Sequence, residues 1–294
     1  MKYYIQYKLT QLVVFFLSLL PLSFLRGCGN LAGNFIYFWM PRRRKIALAN
    51  LEKAFGNTLT DDAKNDIARA AFQSMALSTI ELFITKRIRT NAEERFVIHG
   101  NEHLEQAFAK DKGIVLVISH LGSWEYLSFL PYLTQRQWSV IVKDIKNPYL
   151  NAYVTRMRQL MTVRPIAKLN SIKKVLKELK HNHGVAILID QWAGGEGLWL
   201  DFFDVGTSTT SIPARLAKRT GAALIPAYCL RQELGKYEIH IHPEVDFDPN
   251  DSDWEYRTTE KLNGLLEEQI KKYPDQWLWC HRRWKKKPSE LRHL

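Results

Sequence analysis

Two short stretches of this chain are apolar at every position rather than at every second one. They are Gly113-Ile114-Val115-Leu116-Val117 and Val185-Ala186-Ile187-Leu188-Ile189. A strand that is apolar on both faces must be covered on both, as in a parallel sheet held between helices. Each run ends in a polar group, the first at His120 and the second at Asp190-Gln191. Strand and helix patterns alternate between and around them, which implies parallel neighbours. His120 and Asp190 are therefore expected on the same sheet edge, the edge where open α/β sheets bind ligands.

The other elements follow by the same reading. Ile46 to Phe55 and Asp62 to Arg87 have helical patterns, the second with a broad apolar face at Ile67, Ala70, Ala71, Met75, Leu77, Ile80 and Leu82. Phe96 to Gly100 reads as a strand, with a helix near Glu102 to Ala109 and another strand at Trp138 to Val142. Asn147-Pro148 opens a helix, Ser171 caps one that stops at Gly184, and Ala222 to Leu230 pairs with Tyr237 to Val245 around Gly235. Gly206-Thr207-Ser208-Thr209-Thr210-Ser211 is expected to open a helix that carries Pro213 in its first turn and ends at Gly221. Trp254 to Tyr273 is an amphipathic helix stopped by Pro274. The fold class is α/β, a central sheet, largely parallel or mixed, flanked by helices.

The N-terminus is different in kind. Leu9 to Leu25 is almost wholly apolar, and Leu31 to Met40 is a second apolar run that meets Pro41-Arg42-Arg43-Arg44-Lys45. The expected division is a hydrophobic membrane anchor over 1–40 and one catalytic domain over 41–294. The first run is at the short end for a spanning helix, so spanning, hairpin and interfacial placements all stay open. Lys2 and Lys8 precede it as they would in a signal peptide, but no small-x-small cleavage site follows Leu25. The basic cluster should stay cytoplasmic and meet anionic lipid. A net charge of +12, nine tryptophans and twelve tyrosines fit a membrane interface and an anionic partner. No zinc-finger spacing, basic zipper or RNA-binding signature points to nucleic acid. Cys28, Cys229 and Cys280 are too scattered for a disulfide framework or a metal site.

Chemistry is expected at Ile118-Ser119-His120-Leu121-Gly122-Ser123-Trp124-Glu125. Ser123 can cap a helix through Trp124, Tyr126, Leu127, Leu130 and Leu133, placing Glu125 in its first turn. A histidine oriented by a carboxylate is a general base for a hydroxyl; a structural histidine and a dipole-favoured glutamate are the plainer alternative. Arg158 flanks an apolar helix stripe, able either to reach a cleft or to sit in solvent. Ser208 and Thr209 lie in the hydroxyl stretch, a candidate anion or oxyanion site unless they only cap. His240 and His242 share a strand face, but no third ligand is evident nearby, so no metal is expected. Trp277 to Pro288 interleaves aromatics with cations, including Arg282 and Arg283, a combination suited to phosphate-bearing lipid.

Taken in order, these pieces resemble the bacterial lipid A biosynthesis acyltransferases (the lauroyl/myristoyl transferase group) within the glycerolipid and lysophospholipid acyltransferase superfamily. The resemblance rests on H-x-x-x-x-E at His120 and Glu125, Asp190-Gln191, Gly206 to Ser211 before Ala214-Arg215-Leu216-Ala217, and Trp279-Cys280-His281-Arg282-Arg283-Trp284-Lys285. Arg42-Arg43, Asn50-Leu51 and Ala54-Phe55 match the family's start. The resemblance implies a glycerolipid-acyltransferase-like fold and acyl transfer to a lipid hydroxyl, at the cytoplasmic face of a bacterial inner membrane. The donor would be an acidic acyl carrier protein or coenzyme A, the acceptor a phosphorylated glycolipid, and no metal or redox cofactor is required. It assigns His120 as base, Glu125 as its orienting partner and Arg158 as the arginine that steadies phosphate or developing charge. The loop after Gln191 departs from the family's aromatic-basic form. Transfer to a lysophospholipid or amino-acid-linked lipid, thioester hydrolysis, and non-catalytic lipid binding are the competing functions.

Overall fold

The computed structural model describes residues 1–169 and 171–285; Lys286, Lys287 and Pro288 of the basic tail lie outside the described residues. The helices are α1 (Lys2–Leu19), α2 (Leu22–Trp39), α3 (Pro41–Phe55), α4 (Asp61–Arg89), α5 (Ala92–Arg95), α6 (Asn101–Ala109), α7 (Leu130–Thr134), α8 (Pro148–Leu160), α9 (Ser171–Lys180), α10 (Ile212–Thr220) and α11 (Trp254–Lys272). The strands are β1 (Phe96–His99), β2 (Ile114–Ile118), β3 (Trp138–Val142), β4 (Arg164–Ala167), β5 (Gly184–Leu188), β6 (Leu198–Phe202), β7 (Val205–Thr209), β8 (Ala223–Glu233) and β9 (Lys236–Ile241).

Seven strands form one sheet in the order β1-β9-β8-β2-β5-β3-β4, and β6 and β7 make a separate hairpin. Strands β8, β2, β5, β3 and β4 are mutually parallel. β9 runs antiparallel to β8, with β1 parallel to β9. The two apolar runs are the neighbouring central strands β2 and β5, buried as their composition requires. The pleat sends successive residues of β2 to opposite layers. Ile114, Leu116 and Ile118 pack with Ile80 and Ile84 of α4 and Leu104 and Phe108 of α6. Val115 and Val117 pack with Val175, Leu179, Leu216 and Leu262 of α9, α10 and α11.

Helix α4 is the longest element and has the end chemistry to match. Thr60 caps it by accepting from the Ala63 amide at 3.2 Å, with Asp61 and Asp62 in the first turn and Lys86, Arg87 and Arg89 in the last. Among the described residues it is also the one helix long and apolar enough to cross a membrane, yet 56% of that window is buried inside the protein.

The N-terminal apolar run, read as one anchor helix, is broken into two. Leu20 is extended, as the residue before a proline is, and α2 starts again after Pro21. No residue of α1 is buried. α2 lies against α4 through Leu25, Gly29, Gly33 and Tyr37. A Cβ at Gly33 would collide with the backbone of Phe72 and Gln73, and one at Gly29 with Leu77, so only glycine permits this approach. The opposite face of α2 leaves Phe24, Leu31, Phe35, Phe38 and Trp39 exposed.

Two further local expectations change, and one strand was not expected. The helix expected after Gly206 to Ser211 is α10, with Ser211 before it, Pro213 in its first turn and Gly221 at its end, but residues 206–209 belong to strand β7, because Thr207, Ser208 and Thr209 pair across to β6. Trp124–Phe129 is a 3₁₀ turn leading into α7, and Ser123 does not cap it; its hydroxyl goes to Glu81 instead. β4, too short and polar to show a period, had no sequence signal.

Candidate active site

Parallel pairing of β2 with β5 aligns Ile118 with Leu188, and the Ile189 amide donates to the Ile118 carbonyl at 3.1 Å. The two chains therefore leave the sheet side by side, and the next polar groups out are His120 and Asp190. Asp190 is buried, and its carboxylate binds both ends of the histidine. Oδ1 faces His120 Nδ1 at 2.9 Å, and Oδ2 accepts the His120 amide at 2.9 Å. Oδ2 also accepts the indole N–H of Trp277 at 3.0 Å. With Nδ1 tied inward, Nε2 is the nitrogen left for chemistry; the Gln191 amide nitrogen stands 3.5 Å from it. The Trp124 ring leans on the imidazole at 5.2 Å between centroids.

The electrostatics of the pair follow from burial and contact. Burial opposes charge on His120, but attraction and hydrogen bonding to Asp190, with a smaller pull from Glu125, outweigh it and raise its pKa above the ordinary 6.5. Burial would likewise raise the Asp190 carboxyl; its bonds to His120 and Trp277 win, and its pKa falls below 3.8. His281, near the pair, is pushed down to about 4 by burial, with repulsion from His120 adding to it. It is neutral at neutral pH, and its Nε2 accepts the Trp192 amide at 3.4 Å, steadying the loop after Gln191.

The turn that carries His120 is pinned from two sides. The Gly122 amide donates to Gln276 at 2.9 Å and the Ser123 amide to Cys229 at 2.7 Å. Gly122 has φ +64°, and a Cβ there would strike the Cys229 carbonyl. Below the turn lies a buried ion pair between Glu81 of α4 and Arg231 of β8. Arg231 Nη2 reaches Glu81 Oε2 at 2.9 Å and Ser78 Oγ at 2.7 Å, and Nη1 reaches Ser74 Oγ at 2.9 Å. Ser123 Oγ donates to Glu81 Oε1 at 3.0 Å and the Tyr126 hydroxyl to the Glu81 carbonyl at 2.7 Å, so this pair fixes the floor of the turn.

The predicted site residues divide accordingly. His120, Asp190 and Gln191 converge. Glu125 does not hold the imidazole: it forms a two-point ion pair with Arg158 of α8, at 2.7 and 3.0 Å, and both side chains keep some exposure. The register of two adjacent strands puts Asp190 against His120, whereas the 3₁₀ turn carries Glu125 across to α8. Ser208 and Thr209 offer no free hydroxyls for an anion. Ser208 donates to the Gly194 carbonyl at 2.6 Å, and Thr209 accepts from Arg283 at 2.7 Å and from Asn263 at 3.2 Å.

Arg283 is fully buried instead of facing lipid. It donates to the carbonyls of Gln191 at 3.2 Å and Ser208 at 2.7 Å, and its guanidinium lies 4.9 Å from the centre of the Phe202 ring. Burial lowers its pKa to about 10. It ties the Gln191 loop to the hairpin. Arg282 points the other way, into a groove of about 550 Å³ lined by Trp39, Met40, Pro41, Arg42, Arg43 and Ile46. No residue lining that groove is a partner of His120. Trp277, Glu81 and Arg231 were not anticipated; tryptophan and arginine in a basic tail or strand carry no local sign of a buried partner 87 or 150 residues away.

Comparison with known sequences settles the class. Residues 1–286 match the family described as bacterial lipid A biosynthesis acyltransferase. The chain belongs to that family. It is an O-acyltransferase of the lipid A biosynthesis type. Among its relatives, the lipid A biosynthesis palmitoleoyltransferase of Escherichia coli is 26% identical over 277 residues, 92% of this chain and 87% of that protein. The lipid A biosynthesis lauroyltransferase of the same organism is 27% identical over 278 residues, with the same coverage. A phosphatidylinositol mannoside acyltransferase of Mycobacterium tuberculosis is 26% identical over 202 residues, 67% of this acyltransferase and 62% of that protein.

Proposed function

We propose that the acyltransferase moves a fatty acyl chain from an acyl-carrier-protein thioester to a hydroxyl of a lipid A precursor, with His120 as general base. The observation that carries this reading is the pair of hydrogen bonds between Asp190 and His120, which engages Nδ1 and leaves Nε2 to face the acceptor. Nε2 takes the proton of the acceptor hydroxyl as its oxygen attacks the thioester carbonyl. The C–S bond then breaks, and the departing thiolate collects the proton from the imidazolium. Asp190, in the role expected of Glu125, fixes the tautomer and stabilises that imidazolium. Arg158, held by Glu125, offers charge to the acceptor phosphate or to the developing oxyanion.

The acceptor side of the reading rests on shape and charge. The exposed aromatic face of α2 suits burial among lipid headgroups and upper acyl chains. The groove at Arg42, Arg43 and Arg282 opens beside that face and suits a phosphate. The cluster Arg42 to Lys45 supports an orientation with this surface on the cytoplasmic side of the inner membrane. The net +12 charge suits docking of an acidic carrier protein.

The test is mass spectrometry of lipid after incubation with acyl carrier protein thioester and a tetra-acylated, Kdo-bearing precursor. One added chain, absent with His120→Ala, supports both acceptor and base. The mannoside acyltransferase among the relatives favours a second reading, a different lipid hydroxyl. Transfer to a phosphatidylinositol-type or lysophospholipid acceptor alone would select it. Release of free fatty acid alone would point to hydrolysis, and no transfer to any hydroxyl lipid would refute catalysis.

A further inference from the structure

At the outer edge of the sheet, three side chains that the acyl-transfer reading does not use converge on one point. His99 is the last residue of β1, and Glu238 and His240 alternate on the same face of β9. The pairing of β1 with β9 sets His99 directly opposite His240. The turn that follows is equally constrained: Gly100 has φ +80°, and a Cβ there would collide with the Ile241 carbonyl. Backbone geometry, not a flexible loop, thus fixes the two imidazoles, which stack at 4.8 Å between centroids. Glu238 Oε2 lies 3.1 Å from His240 Nε2 and 3.7 Å from His99 Nε2. One ligand atom from each of the three residues falls within 4.8 Å of the others.

We propose that His99, Glu238 and His240 bind one zinc-class divalent cation. Tetrahedral zinc with ligand bonds of about 2.0–2.1 Å places neighbouring ligand atoms about 3.3–3.4 Å apart, between the two carboxylate–imidazole separations. Two imidazoles and one carboxylate match a borderline cation in charge and softness, and magnesium and calcium prefer oxygen donors. All three side chains keep solvent access, His99 being half exposed, so an ion can enter and water can fill the fourth position. His242, the companion suggested by sequence alternation, lies past the end of β9 and packs its ring against Tyr228 at 5.4 Å. The third ligand comes from β1 instead.

The site is set apart from the acyl-transfer residues by strands: β9 lies two strands, and β1 three, from β2 in the sheet order. β1 is the terminal strand and is hydrogen-bonded within the sheet only to β9. A cation across the pair clamps that edge.

The experiment uses the full-length protein in detergent, free of any histidine tag and stripped with chelator. It is titrated with zinc(II) alone by calorimetry and with cobalt(II) by visible absorption. Wild type is expected to take up one equivalent with a rise in Tm. His120→Ala should do the same, which separates this site from the catalytic histidine. His99→Ala and His240→Ala should each weaken binding by more than roughly 100-fold, since even groups behind the ligands are worth about 10–100-fold. The His99 variant alters only a half-exposed side chain, which guards against a folding defect. The proposal is overturned if wild type shows no saturable binding, the result of a merely hydrogen-bonded surface cluster. It is equally overturned if binding survives in both variants or disappears with His120→Ala.

Discussion

His120 works as a base only when neutral, and that sets the sign of the pH dependence. Its pKa lies above 6.5 because Asp190, and behind it Glu125, favour the protonated ring. Activity should therefore fall as pH drops through a value above 6.5, with the acidic limb of kcat/KM reporting that pKa. Asp190→Asn removes the larger favourable charge, so its residual activity should have an acidic limb at lower pH. Glu125→Gln should move the limb in the same direction by less, since its attraction to the imidazolium is the weaker of the two. Loss of the base itself, in His120→Ala, should cost about 10²–10⁴-fold in kcat. A pH profile unchanged in Asp190→Asn would remove Asp190 from the tautomer-holding role.

Between elements, two contacts decide whether the turn and the N-terminal helices sit where they do. Arg231 and Glu81 join β8 to α4 in a buried pair that is also bonded to Ser74, Ser78 and Ser123. Arg231→Met leaves the Glu81 charge buried alone and should cost about 3–5 kcal/mol in chemical denaturation. Adding Glu81→Leu should recover a large part of that loss. An equal loss in the double variant would show that the pair's attraction, not the stranded charge, is what matters. Gly33 carries the closest approach of α2 to α4. Gly33→Leu must push the helices apart, with an expected cost of about 1–3 kcal/mol seen as a lower Tm. The same reasoning explains what the apolar runs left open here: they mark α2 as hydrophobic, while Gly29 and Gly33, at a spacing of four, lie on its packed face.

For the molecule as a whole, exposed aromatics on α2 and the arginines beside them form one surface. Binding to vesicles containing anionic lipid should weaken with salt. It should also weaken in Arg42→Ala/Arg43→Ala/Arg282→Ala by about 1 kcal/mol per charge removed. Sedimentation with vesicles checks this, and a salt-independent result would leave only the apolar face as the contact. By itself the sequence determined the layered α/β architecture, since strands apolar on both faces have no other stable home. It also placed His120 and Asp190 on one sheet edge, because strand direction follows from strand–helix alternation. Tertiary structure decided which carboxylate meets the histidine. Periodicity reports which side of an element is buried, but a hydrogen bond between residues 70 apart depends on strand register. For the same reason Glu125 went to Arg158, Ser208, Thr209 and Arg283 turned inward, and the third histidine-site ligand came from β1. Burial is a property each residue carries in its own chemistry; partnership belongs to two segments that only folding brings together.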